Sequence, residues 1–152
     1  MPSSPASFTF RVLGTPVPQG SVKAYSSRQI VANNEQALGS WRSDVASAAQ
    51  RAKPAEWDNN AAVSVRCEFV FPRPLYHYGT GKNATKLKPS APRYHVKTPD
   101  VDKLVRGVAD SIGDAVARVL LNNDSQIVSI YAAKRYSTDD FLGAIITVTA
   151  LS

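Results

Sequence analysis

Val101, Leu104, Val105, Val108, Ile112 and Val116 recur at helical spacing, with strand-like runs on either side of them. A helix from Asp100 to about Leu121 carrying such an apolar stripe must bury it, and its neighbours offer a sheet. Before it, Ala61 to Phe71 is rich in β formers; after it, Gln126 to Tyr136 and Gly143 to Ala150 read as two further strands. Thr98-Pro99 supplies a cap-like residue followed by a proline in the first turn. The turn residues Ser137-Thr-Asp-Asp predict that the last two strands form an antiparallel hairpin.

Upstream, Phe8 to Gly14 alternates as a first strand and stops at the turn-rich Thr15-Pro-Val-Pro-Gln-Gly-Ser. Leu38, Trp41, Val45 and Ala48 or Ala49 then mark a helix from about Asn34 to Arg51, ended by Lys53-Pro54. The order β-α-β-α-β-β predicts an α+β fold: a small mixed sheet of about four strands with two main helices on one face. With 152 residues and 43% hydrophobic content, one domain over 1–152 has enough material for a core. Between Pro72 and Pro99 lies a polar, basic connection with five prolines, too long for an ordinary turn and expected to be flexible. No internal repeat interrupts this plan.

Several function classes fall away. No apolar run approaches the ~18 residues needed to span a membrane. Met1-Pro-Ser-Ser-Pro lacks the basic and apolar regions of a secretion signal. The single Cys67 excludes an internal disulfide or a Cys-rich zinc site, and its alternating neighbours place a reduced thiol in a strand. A cytoplasmic protein is expected.

Charge is more informative. Eighteen Lys and Arg against twelve Asp and Glu give +6, which favours a polyanionic partner. No carboxylate occurs from Phe69 to Pro99, while Arg73, Lys82, Lys86, Lys88, Arg93 and Lys97 do. Five carboxylates then crowd into residues 100–124: Asp100, Asp102, Asp110, Asp114 and Asp124. Cations attract a phosphate backbone, and clustered carboxylates can hold a divalent metal that cuts it.

Each residue has a plainer reading too. Acidic residues near a helix start are stabilised by its dipole, so Asp100 and Asp102 can be caps. If both were helical they would point about 200° apart, but Asp100 just before the helix leaves them free to converge. Asp102, Arg106 and Asp110 form a polar stripe that can be a solvated, ion-paired face. Asp114 reads as solvated and Asp124 as a turn residue, unless the fold brings Asp124 to the helix start. Lys82, Lys86, Lys88, Arg93 and Lys97 are either a solvated loop or an arm that gathers phosphates, and Lys23 can add a backbone contact. Tyr76, His77, Tyr78, Tyr94 and His95 are candidates for stacking on exposed bases.

Thr98-Pro-Asp-Val-Asp-Lys-Leu-Val-Arg-Gly-Val-Ala-Asp-Ser-Ile, followed by Leu121-Asn-Asn-Asp-Ser-Gln-Ile-Val, resembles the signature of the RusA family of Holliday junction resolvases. The likeness extends more loosely to Gly14-Thr-Pro-Val-Pro-Gln-Gly-Ser-Val-Lys and to Trp41-Arg42, and so covers most of the chain. Asp100, Asp102 and Asp124 match the family's essential metal-binding carboxylates, and Arg106 stands where a Lys or Arg assists catalysis. Two positions depart: Lys103 stands where Asn is frequent, and Asn123 where an acid is common.

The resemblance implies a homodimeric, Mg²⁺-dependent endodeoxyribonuclease, with Mn²⁺ as a substitute ion. It would resolve four-way DNA junctions by paired symmetric phosphodiester hydrolysis during recombination and repair. Catalysis would fall to Asp100, Asp102, Asp124 and Arg106, and DNA contact to Lys23, Lys82, Lys86, Lys88, Arg93, Lys97 and Lys103. Its setting would be a bacterial or phage-infected cell, the compact form suiting a phage. The alternatives are a non-catalytic basic DNA-binding protein and a nuclease that prefers flaps or other branched DNA.

Overall fold

Strand β1 (Ser7–Leu13) leads through a loop to helix α1 (Arg28–Ala52), strand β2 (Ala62–Phe71), helix α2 (Val101–Gly113), strand β3 (Ile127–Tyr136) and strand β4 (Gly143–Leu151). The computed structural model describes residues 6–20, 28–114 and 117–151. The architecture is the α+β arrangement expected from the sequence, with four strands in one mixed sheet and two helices.

Alternation decides which face of the sheet is dry. Phe10 and Val12, Val65, Cys67 and Phe69, and Ala144, Ile146 and Val148 point the same way and are buried. Trp41, Val45 and Ala49 of α1 and Leu104, Val108 and Ile112 of α2 complete this core. Burial pushes the Cys67 thiol up to about 12, so it stays protonated. The opposite face is polar, with Thr9 bonded to Thr147 at 2.7 Å, Ser64 to Ser129 at 2.9 Å, and Arg66 4.3 Å over the Tyr131 ring.

The strand order is β1-β4-β2-β3, which corrects the expected hairpin. β4 lies between β1 and β2, antiparallel to both, and β3 runs parallel to β2 on the sheet edge. The link from β3 to β4 passes over the end of β2, where the Ser137 amide donates to the Phe71 carbonyl at 2.7 Å. Burial explains the order. β4 is apolar enough to need a neighbour on both sides, whereas Val128, Ile130 and Tyr131 of β3 remain exposed. Gly143 permits the close approach of β1: its φ is +146°, and a Cβ there would lie 1.8 Å from the Val12 carbonyl oxygen.

α2 also ends earlier than its pattern suggests, at Gly113 rather than about Leu121. The chain doubles back, and the amides of Leu120 and Leu121 both donate to the Ile112 carbonyl at 3.0 and 3.1 Å. Leu121 packs where a Gly113 side chain would stand, so Leu120 and Leu121 fill the core from a turn. Val116, the last residue of the expected stripe, lies outside the described residues. α1, in contrast, is longer than expected and begins at Arg28.

The connection expected to be flexible has local structure. It contains 3-10 turns at Leu75–His77 and Gly81–Asn83 and a β-bridge between Tyr78 and Leu87. Its stem is fastened to Tyr136. Arg73 lies 4.5 Å over that ring, His77 meets it edge-on at 5.2 Å, and His95 stacks on it at 4.8 Å. Among the described residues, no helix is long and apolar enough to cross a membrane.

Candidate active site

The start of α2 gathers the features singled out by the sequence. A cis Thr98–Pro99 bond precedes Asp100, whose backbone is extended at φ −73° and ψ 140°. The Asp100 carbonyl accepts the Leu104 amide at 3.2 Å and so begins the helix, while its side chain makes no capping hydrogen bond. The carboxylate is therefore not spent on the cap. Asp102, inside the first turn, has 69% of its side chain exposed and pairs with Lys103 Nζ at 3.0 Å. That hydrogen bond, ahead of the other influences, holds the Asp102 carboxyl below the usual range.

Arg106 follows one turn later. The loop after β1 lies along this face of α2, with the Gln19 amide donating to the Lys103 carbonyl at 3.0 Å. The Gln19 side-chain amide donates to the Asp110 carboxylate, and the Val17 carbonyl lies against Gly107. Arg106 reaches over Gly20, where an added Cβ would sit 2.7 Å from its Nη1. The Pro-rich loop thus bonds to Asp110 and lies beside Arg106, while Asp102 and Arg106 stay exposed. Asp114 is not simply solvated: Arg42 Nη2 donates to its carboxylate at 2.6 Å.

Asp124 lies elsewhere. It opens a 3-10 turn whose Gln126 side chain donates to the carbonyls of Asn59 and Ala61, at the beginning of β2. Asp100 is at the other end, beside Phe71 and Pro72 where β2 finishes. The thirteen residues of α2 separate the two positions, about 20 Å at the helical rise. Among the described residues no three His, Cys, Asp or Glu side chains form a group able to hold a metal ion. One chain therefore brings Asp100, Asp102 and Arg106 into one region and leaves Asp124 a helix length away.

Of the candidate DNA contacts, Lys82, Lys86, Lys88, Arg93 and Lys97 are exposed on the connection, and Lys103 is half-buried in its pair with Asp102. Lys23 lies outside the described residues. Tyr76 and Tyr94 are exposed, but His77 is buried and so cannot stack on a base. Burial, then the charges of Arg73 and Lys88, hold the His77 pKa below its ordinary value. His95 is lowered likewise, by burial and then by Lys134.

Sequence reasoning missed Lys134 and counted Arg73 only as one cation of the basic run. Lys134 Nζ donates to the carbonyls of Lys97 at 2.5 Å and Pro99 at 2.9 Å, fixing the approach to Asp100. Arg73 Nη1 donates to the Pro92 carbonyl at 2.6 Å. A cation on the inward register of a strand, after Ile130 and Ala132, was the one available signal for Lys134.

An uncapped carboxylate at the helix start, a second one paired with a lysine, and an arginine one turn on are groups of the kind that act on a phosphate backbone. The family model for the endodeoxyribonuclease RusA matches residues 14–149, nearly the whole chain. The chain belongs to the RusA family of endodeoxyribonucleases. No match was found among the curated proteins.

Proposed function

We propose that this protein is a divalent-metal-dependent endonuclease that resolves four-way DNA junctions by paired incision. The observation that carries the reading is Asp100: an extended residue at the helix start whose carboxylate is not used in capping. Asp102 lies two positions on, on a differently directed backbone, so the two side chains can turn toward a common point. Oxygen donors of this kind suit Mg²⁺, with Mn²⁺ as a substitute. When bound, the ion supplies a water of lowered pKa and offsets charge on the phosphoryl group.

The chain's own residues do the rest. Asp102 must give up Lys103 to become a ligand, and Lys103 is then free to meet a neighbouring phosphate. Arg106 holds a non-bridging phosphate oxygen in bidentate fashion and offsets the charge that grows there. The exposed lysines of the connection gather the flanking duplex.

The third carboxylate calls for a second chain. Val128, Ile130 and Tyr131 leave the β3 edge apolar and exposed, and the edge is open to strand pairing. Antiparallel pairing of two such edges about a twofold axis would carry the partner's Asp124 toward the sheet end that bears Asp100. A homodimer built this way has two equivalent sites for two equivalent strands. The separation of Asp124 within one chain equally suits a DNA-binding protein that does not cut, so cleavage itself is the test. Purified protein is incubated with four-way, flapped and linear DNA in Mg²⁺, beside Asp102→Asn. Symmetric paired nicks in the junction, absent from the variant, are expected. Junction binding without nicking ends the enzymatic reading, and equal cutting of flaps ends the resolvase one.

A further inference from the structure

A cleft of about 650 Å³ opens beside Asp100. Thr15 and Pro16 from the loop after β1, Phe71 from the end of β2, and His95 and Pro99 from the connection form its walls. These are mostly flat, apolar groups. His95 is fixed by its stack on Tyr136, with ring planes 28° apart, and by a tilted contact with Phe71 at 4.8 Å. Its Nδ1 is buried and has no hydrogen-bond partner. That nitrogen is closed to solvent, so the ring serves the cleft as a flat wall.

The surroundings narrow the choice of occupant. Asp100 is the single carboxylate among the lining residues, while Lys97 and Arg93 are exposed on the same segment as His95 and Lys134 is bonded to it. A polyanion fits this border. A flat ring fits the cleft. Both belong to one kind of molecule, a DNA strand with a base out of its stack.

We propose that the cleft receives an unstacked nucleobase next to the phosphate that lies at Asp100 and Asp102. The inference rests on the reading of that helix start as the place where the backbone is cut. The base slides against the proline and aromatic walls, with the His95 ring as one of them. Branch points make this inexpensive, because a base at the crossover has already lost part of its stacking. The cleft then recognises strand geometry as much as base identity.

The test uses four-way junctions that carry one abasic nucleotide at successive positions around the cut. Wild type, His95→Ala and Thr15→Trp are compared by Kd in EDTA and by kcat/KM in Mg²⁺. Thr15 is exposed, so the tryptophan fills the cleft mouth without disturbing the core, and unchanged melting confirms the fold. Wild type should lose about tenfold at one position flanking the cut and little elsewhere. Both variants should lose about as much on the intact junction and show no further loss on the abasic one. An abasic penalty that survives in full in both variants, or one absent at every position, overturns the proposal. If wild type binds junctions without cutting them, the nuclease reading fails while the Kd pattern still decides the cleft. If it binds no junction, both fall.

Discussion

Lys134 Nζ sits 2.9 Å from the carbonyl oxygen of Pro99, joining the edge strand to the residue that precedes the first candidate carboxylate. The same nitrogen also holds the Lys97 carbonyl. Lys134→Met keeps the aliphatic stem and removes both bonds. It should cost about 1–2 kcal/mol of stability, read by urea unfolding, because two carbonyls lose a charged donor. Cleavage should fall further than junction binding, since the effect is on the placement of Asp100. Equal losses in both would make Lys134 a general DNA contact instead.

Separating Asp124 from Asp100 by the length of α2 leads to a mixing experiment. Asp102→Asn and Asp124→Asn should each be inactive as pure proteins. Refolded together, they should recover nicking, because the mixed dimer contains one site with Asp100 and Asp102 from one chain and Asp124 from the other. Each site in such a dimer would be broken if all ligands came from one chain. A mixture as inactive as its components therefore rules out the shared site.

Replacing Lys82, Lys86 and Lys88 with Ala should weaken junction binding and flatten its salt dependence. Each lost phosphate contact lowers the slope of log K against log salt by about 0.9. The Mg²⁺ cleavage rate at saturating DNA should change little. An unaltered slope would show that the exposed lysines face solvent in the complex as well.

Acid should loosen the packing around Tyr136. The folded pKa of His77 is lowered from 6.5, so the folded state prefers the neutral ring and the unfolded chain takes up a proton first. This stabilisation is complete above pH 6.5 and is lost as pH falls through 6.5 toward the lower folded value. His95 has the same sign. Melting temperature should drop between pH 7.5 and 5, well above the range where carboxylates titrate. His77→Gln should make the decline shallower; an equally steep decline in that variant would trace it to other groups.

Local pattern carried much of this molecule. The Val101-to-Ile112 stripe located α2 and β-branched runs marked all four strands, but the cap falls on the extended Asp100 rather than on Thr98. What pattern could not supply was long-range pairing. Ser137 to Asp140 reads as a tight hairpin turn, yet it bridges over β2, because β4 needs two covered edges. Leu120 and Leu121 look helical by their apolarity, yet they are buried from a turn closed on the Ile112 carbonyl. For the site, residue types and the helix start were legible. The remoteness of Asp124 follows from the parallel pairing of β3 with β2, which no local spacing encodes. His77, His95 and Arg73 converge on Tyr136 from far along the chain, so their role as packing could not be read from a run of aromatic and basic letters.

The position of β4 also dictates when the molecule can become itself. Among the described residues β1 pairs with β4 alone, and Ser7 meets Thr149 across 142 residues. While the ribosome is still making the chain, the first strand has no partner and the face that α1 and α2 cover is incomplete. Helices can form early, but the sheet waits for residues 143–151 to insert between two strands already made. A nascent chain stalled before Gly143 would hold every residue of the candidate cutting site and no scaffold to aim it.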